Sequence, residues 1–586
     1  MKTQPGIPYF VVAAVLACVS VYGVLRLQSP LRWSGWAFGD AQAMFAAENF
    51  RFDGWWSGYG LPNYAYPSAL RRHESGRYTH YPQLVNVPMV MALQKLGMGL
   101  KGIQAFHVLL SCGALALFFL SVQEVANPLV ALIAMVVVGF SVVWLEFMDS
   151  LVVTWDEFIR YACIALLVFS DRPSLSRRSR QASIVAAWLA YLFQSLATYE
   201  YVVGLGLFIF TYTAATRGLK SALRRCAVFA MGPALGFSIH ALQVIAFLGP
   251  QGAWSDARTQ FLFRTLNHGE MLRSYYHLGA LNKGIKNGTG VWGISWIIQS
   301  ILLVGYLLLH WRPKELRRIL GFLFGLWACG LAWYVIFPQS THNFMVYMPK
   351  HILPALALGL AIATACVIRQ VRPLGNPITK APRWMGPHAP EISYALLLAS
   401  VLVTWVPFVY ATAAYARAFP NPMGPRTYPP GFPTSEYARH LALCDDVKKL
   451  GKPGENRIVV ARGVFNVSTT PGRFPIVSAV DAYLCDSEVY SFSAWRDLPD
   501  LIKPFSIFYG DGLVVYLIAK SGDSGWAKLR IRPMPIPQEA EFVLARLGGG
   551  QIREILATEA LKSPGGGQIR RIKSYMSPTI GLLRGK

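Results

Sequence analysis

The stretch from Phe38 to Leu84 opens with Gly39-Asp40-Ala41-Gln42, continues through Asn49-Phe50-Arg51-Phe52-Asp53-Gly54-Trp55-Trp56 and closes with Tyr78-Thr79-His80-Tyr81-Pro82. It follows one apolar run, Ile7 to Leu27, and leads into the next hydrophobic segment. A loop this long, rich in Trp and Tyr and carrying Asp40, Glu48, Asp53, His80 and Tyr81, is more than a connector between two membrane helices. It reads as the lip of an active site.

The surrounding chain sets that loop in a membrane. Of 586 residues 54% are hydrophobic and only 15% charged, too apolar for a large soluble protein. Ile7 to Leu27 has no small-residue cleavage site after it and reads as a retained span rather than a signal peptide. Further apolar runs lie near 103–121, 128–147, 157–170, 182–198, 201–216, 226–248, 291–310, 319–337, 351–368 and 392–412, which makes eleven spans. With the N-terminus inside, the loops 171–180, 217–225, 311–318 and 369–388 face the cytoplasm, and each holds four Lys or Arg. The opposite loops 148–156 and 199–200 hold none, as the positive-inside rule requires. Pro82 to Leu100 is apolar too, but its two prolines and its Lys95-Leu-Gly-Met-Gly ending suit a short interfacial helix better than a crossing.

The net charge of +25 then means orientation and attraction to anionic lipid, not nucleic acid. The expected architecture is a polytopic α-helical membrane protein: a membrane domain over 1–412 with an outer-face loop 31–102, a Pro-rich linker at 413–433, and an extracytoplasmic α/β domain at 434–586. In that last part Ser435 to Leu450 reads as helix, and Arg457–Ala461, Pro475–Val480 and Phe505–Ile518 as strands. Gly548-Gly-Gly-Gln-Ile-Arg recurs at Gly565, and the repeat reads as two glycine turns feeding short strands. Six of eight cysteines sit in or beside apolar runs; Cys444 and Cys485 fall in the polar C-terminal region and could pair in an oxidising compartment.

Taken alone, Asp40 reads as a solvated carboxylate or as an N-cap for a helix starting at Ala41. Other outer-face acids change its weight. Asp149, Asp156 and Glu157 crowd one span boundary, where an acid costs up to ~2.5–3.5 kcal/mol at mid-bilayer and less near the surface. Asp156 has a local partner four residues on, in Arg160; Asp149 and Glu157 have none. A third cluster, His342, Lys350 and His351, suits a phosphate at the membrane surface or headgroup anchoring, and Arg258, Arg264 and Arg273 could add to either. No spacing of His, Cys, Asp or Glu proposes a metal, and no cofactor is required.

Asp40 one short loop after the first span, Asp53-Gly54-Trp55-Trp56, His80-Tyr81-Pro82, Val153-Thr154-Trp155-Asp156 and Pro349-Lys350-His351-Ile352-Leu353-Pro354 follow one another in an order that resembles the C superfamily of integral-membrane glycosyltransferases. The likeness is to the branch of lipid A aminoarabinose transferases and protein O-mannosyltransferases, over about residues 1–412. It implies transfer of a sugar from a polyprenyl phosphate to a glycan, lipid or protein hydroxyl at the outer face, in a bacterial inner membrane. By motif position it implies Asp40 as general base, Asp156 as the second acidic residue, and Lys350 and His351, helped by Arg258 and Arg264, as phosphate ligands. Glu48, Asp53, His80, Tyr81, Asp149, Glu157 and His342 would line the donor and acceptor pocket. His-Tyr-Pro-Gln stands where many relatives have adjacent prolines, and Lys-His where Tyr or Arg is frequent. Two other classes compete: a transporter or flippase, which would bury charges along a midplane pathway, and a scaffold whose outer domain binds glycan or protein.

Overall fold

The structure is a computed structural model, and it describes residues 9–27, 37–64, 77–265, 289–310, 313–336, 349–371, 389–417, 443–451, 455–462, 488–492, 510–529 and 542–557, with a few residues between these blocks. The chain divides into two compact units. One comprises Met1–Gly35, Trp55–Leu61 and Thr79–Pro422; the other comprises Trp36–Gly54, Pro62–Tyr78 and Met423–Lys586.

The first unit is helical. Its elements are α1 (Tyr9–Leu27), α3 (Asn86–Lys95), α4 (Leu100–Val125), α5 (Pro128–Gly139), α6 (Val142–Phe147), α7 (Val153–Phe169), α8 (Arg177–Ala197), α9 (Val202–Arg217), α10 (Leu219–Thr265), α11 (Gly293–His310), α12 (Pro313–Ile336), α13 (Pro349–Val371) and α14 (Ala389–Arg417); α2 (Ala37–Asp53) belongs to the second unit. Each of the eleven apolar runs is helical. Among the described residues six helices are long and apolar enough to cross a membrane: α1, α4, α10, α12, α13 and α14; α5, α9 and α11 are shorter apolar helices. At 17 residues α7 is too short for that set and also carries Asp156, Glu157 and Arg160, while α8 begins with Arg177 and Arg178. At ten residues, about 15 Å, α3 is too short to span a bilayer.

One expected span is not a single helix. Asn127 caps α5 by accepting from the Val130 amide at 3.0 Å with Pro128 at the first position, and α5 stops at Gly139. Ser141 then starts α6 by accepting from the Trp144 amide at 3.3 Å. The run 128–147 is apolar throughout, so hydropathy missed a cap that interrupts it. α10 is also broken, at Gly249, whose φ of 73° leaves the helix before Pro250.

Three helices meet backbone to backbone. A Cβ at Gly204 of α9 would lie 2.5 Å from the Cys329 carbonyl of α12, and one at Gly330 of α12 would lie 2.7 Å from both His351 O and Ile352 Cα of α13. Small residues allow this approach, as in other membrane helix pairs. It fixes where α13 begins relative to α12 and α9.

The second unit holds a five-stranded sheet in the order β2-β1-β3-β5-β4, from β1 (Asn456–Arg462), β2 (Glu488–Phe492), β3 (Leu513–Lys520), β4 (Met534–Pro535) and β5 (Phe542–Leu547). β1 pairs parallel with β2 and β3, while β5 pairs antiparallel with β3 and β4. Ile458, Val460, Val515 and Leu517 lie in its core with Trp495 and Trp526. The strand expected from Phe505 starts only at Leu513, after a tight turn over Gly510–Gly512. Residues 443–450 are helical; of the expected linker 413–433, residues 413–417 continue α14, while 418–433, 435–442 and the run 475–480 lie outside the described residues.

The first glycine repeat is not a turn feeding a strand. It forms α15 (Gly549–Ala557): the Gly548 amide donates to Gln551 Oε1 at 3.2 Å, and Ile552 and Ile555, three apart, enter the sheet core. The second copy lies outside the described residues. Cys444 is buried and disulfide-bonded, its expected partner Cys485 being outside the described residues. Among the described residues Cys18, Cys112, Cys163, Cys226, Cys329 and Cys366 are outside any disulfide.

Candidate active site

Three helix starts in the first unit bring acids and bases together. Ser150 Oγ accepts from the Val153 amide at 3.3 Å and opens α7, which puts Asp156 and Glu157 in its first turns. Thr198 Oγ1 accepts from the Glu200 amide at 3.3 Å in the turn before α9. α13 opens on Pro349, whose fixed φ suits a first helical position, so Lys350 and His351 follow in the first turn.

Their side chains meet away from water. Lys350 Nζ donates to Glu157 Oε2 at 3.1 Å with both side chains fully buried. The ammonium also lies 4.8 Å from the Trp144 ring centre and 5.7 Å from that of Phe147. His351 Nε2 is 3.8 Å from Glu200 Oε2, and its ring centre is 4.1 Å from that of Tyr201. A buried charge missing its partner costs several kcal/mol, so the Glu157–Lys350 pair holds the start of α13 against α7.

Asp156 and Arg160 do not pair, contrary to the spacing on the helix. Asp156 Oδ1 accepts from Asn86 Nδ2 of α3 at 3.5 Å, and the same amide reaches Val152 O at 3.3 Å. Arg160 instead places its guanidinium over Tyr161 and Tyr201, at 4.6 and 4.3 Å, and its Nε and Nη2 have no partner among the described residues. Asp149 takes its counter-charge from the first helix: Arg26 Nη2 is 3.5 Å from Asp149 Oδ1, and Arg26 Nη1 donates to Leu145 O.

A second polar group pins the end of the long loop to α10. His80 Nε2 is 3.3 Å from Asp256 Oδ1, Thr79 Oγ1 donates to Asp256 Oδ2 at 2.7 Å, and His240 Nε2 lies 3.0 Å from Thr79 O. Tyr81 is buried, 5.8 Å from Tyr199 ring to ring.

No family model matches the chain, and no curated protein matches it. Among solved structures it is similar to ArnT from Cupriavidus metallidurans bound to undecaprenyl phosphate, with a TM-score of 0.52 and 14% identity over 95% of this chain and 100% of that one. The chain shares its fold with that ArnT. The apo form of the same ArnT gives a TM-score of 0.49 at 12% identity over 92% and 98% of the two chains. The Archaeoglobus fulgidus oligosaccharyltransferase tethered to an acceptor peptide gives 0.46 at 11% over 88% and 69%.

Within this fold, the remaining expected residues fall as follows. Asp40 lies in the first turn of α2 and is fully buried. Glu48 sits on the same helix and Asp53 ends it, 4.0 Å from Arg77 Nη2. Burial lowers the Arg77 guanidinium against the opposing pull of Asp53. Asn49 Nδ2 donates to Asn63 O at 2.9 Å, and Asn63 bridges to Arg77, which closes the base of the loop. Arg258 is exposed. His342, Cys485 and the Arg264 side chain lie outside the described residues. Among the described residues no group of three or more His, Cys, Asp or Glu could hold a metal. Sequence reading missed Arg26, Asn86, Glu200, His240 and Asp256. A signal was present for Glu200, an acid between two apolar runs, but none for the others.

Proposed function

We propose that the protein is a glycosyltransferase that moves a sugar from a polyprenyl-phosphate donor to an acceptor hydroxyl at the outer face of a membrane it crosses eleven times. The observation that carries this reading is the meeting of Glu157 and Glu200 with Lys350 and His351 at the starts of α7, α9 and α13, inside a fold shared with a protein that binds undecaprenyl phosphate.

The chemistry asks little of the protein beyond charge and position. The acceptor oxygen attacks the anomeric carbon, and the bond from that carbon to the phosphate oxygen breaks with its electron pair leaving on the phosphate. Asp40 takes the acceptor proton. The leaving phosphate needs no general acid if cations already face it. Lys350 suits that task, because Glu157 uses one of its three ammonium protons. His351 supplies a further donor at the start of α13, and Arg160, whose Nε and Nη2 have no partner among the described residues, adds its own from within α7. Asp156, held by Asn86, orients the acceptor side. The disulfide-bonded Cys444 of the C-terminal domain suits an oxidising compartment outside the cytoplasm.

Asp40→Asn tests the assignment of the base. The variant is expected to fold and insert, while transfer from a synthetic polyprenyl-phosphate sugar falls by about 10²- to 10⁴-fold. A wild-type rate would remove Asp40 from the mechanism.

A further inference from the structure

The helices that start at Asp156 and Glu200 end in a different kind of cluster. α7 runs 17 residues, about 25 Å, to Phe169, and α9 runs 16 residues to Arg217. Just beyond α7, Asp171 Oδ1 lies 2.5 Å from Arg217 Nη2 at the end of α9 and 3.4 Å from Arg225 Nη2 near the start of α10. Glu124, in the last turn of α4, lies 2.5 Å from Arg172 Nε and 3.4 Å from Arg318 Nη2 near the start of α12. Arg180 of α8 donates to Arg172 O at 3.4 Å, which joins a sixth helix to the network.

Two carboxylates therefore fix four arginines drawn from four segments of the chain, and half of that positive charge has no counter-charge within the network. Around this frame Arg177, Arg178, Lys220, Arg224 and Arg317 are exposed. α8, α10 and α12 all begin here, so their N-terminal dipoles add to the positive field. Between this level and the acid-base cluster at the far ends of α7 and α9, the helices present Val185, Leu189, Phe193, Leu207, Val228 and Met231 to their surroundings. That apolar band places the arginine level at the opposite headgroup layer. Simple bias of Lys and Arg to one side accounts for the sign of the charge; it does not account for guanidinium groups locked in place by carboxylates from other helices.

We propose that this arginine-framed end of the bundle is a binding site for the phosphate headgroups of anionic phospholipids. A phosphodiester set at the headgroup layer meets both fixed guanidinium donors and the mobile exposed cations. The proposal is separate from the transferase reading, because it uses none of the residues at the other helix ends.

The test is native mass spectrometry of the full chain in detergent, titrated with phosphatidylglycerol or with phosphatidylcholine of the same acyl chains. Phosphatidylglycerol adducts are expected to persist where phosphatidylcholine adducts do not, and to be lost at high salt. Replacing Arg177, Arg178, Lys220, Arg224 and Arg317 together by Gln spares the ion-paired frame and is expected to cut phosphatidylglycerol retention at least about tenfold, with transfer in detergent unchanged. Equal retention of both lipids by the wild type, adducts that ignore salt, or full retention in the folded variant would each overturn the proposal. Displacement of the lipid by inorganic phosphate at equal concentration would make the ligand a free anion and overturn the lipid assignment. If the variant fails to fold, the wild-type comparison of the two lipids and of the salt levels decides alone.

Discussion

At the scale of single residues, the account turns on the buried pair of Glu157 and Lys350. With both side chains fully buried, removing one leaves the other as a charge with neither water nor partner. Glu157→Gln is expected to destabilise the full chain in detergent by about 3–5 kcal/mol, seen as a lower unfolding temperature, and Glu157→Gln with Lys350→Met to recover most of the loss. An unchanged unfolding temperature in the single variant would show that the pair contributes nothing. Glu200 was missed, but Glu157, Asp156 and Asp149 were legible in the sequence because charge in an apolar setting stands out. Their partners were not: Lys350 lies 193 residues from Glu157 and Arg26 closes on Asp149 from another helix, distances no local pattern spans. The one local pairing that spacing did suggest, Asp156 with Arg160, gave way to Asn86 and to two tyrosine faces.

At the scale of elements, the glycines in the crossings of α9, α12 and α13 set the position of the cluster. A methyl at Gly330 would press on backbone atoms of His351 and Ile352, which cannot rotate away as a side chain can. Gly330→Ala is expected to cost about 1–3 kcal/mol and to lower transfer by moving the start of α13, whereas Gly305→Ala, with nothing within 4 Å of the added carbon, should be tolerated. Equal behaviour of the two variants, in melting and in transfer, would contradict this. Helix positions were legible from hydropathy, since an apolar run of the right length has few other uses. Breaks within runs were not, because α5 stops at Gly139 and Ser141 opens α6 without any change in apolarity. The same blind spot made the repeat at Gly548 read as a turn before a strand, when Gln551 and the spacing of Ile552 and Ile555 make it a helix start.

For the whole molecule, the order of short motifs along the chain carried more information than any one of them. Each is degenerate, yet together they indicated the fold that the likeness to ArnT shows over 95% of the chain. The number of crossings was less legible: among the described residues α5, α7, α9 and α11 are short and α8 opens on charge, which leaves six helices that meet the demands of length and composition by themselves. Reporter fusions after Ser170 and after Tyr415 are expected to mark cytoplasm and exterior respectively; the reverse would invert the sidedness assigned to every residue of the site. The most direct test of the central claim is a cryo-electron microscopy map of the protein with polyprenyl phosphate bound. The account predicts phosphate density at the start of α13, within hydrogen-bonding reach of Lys350 or His351; phosphate density elsewhere, with those two side chains still engaged only by Glu157 and Glu200, would contradict it.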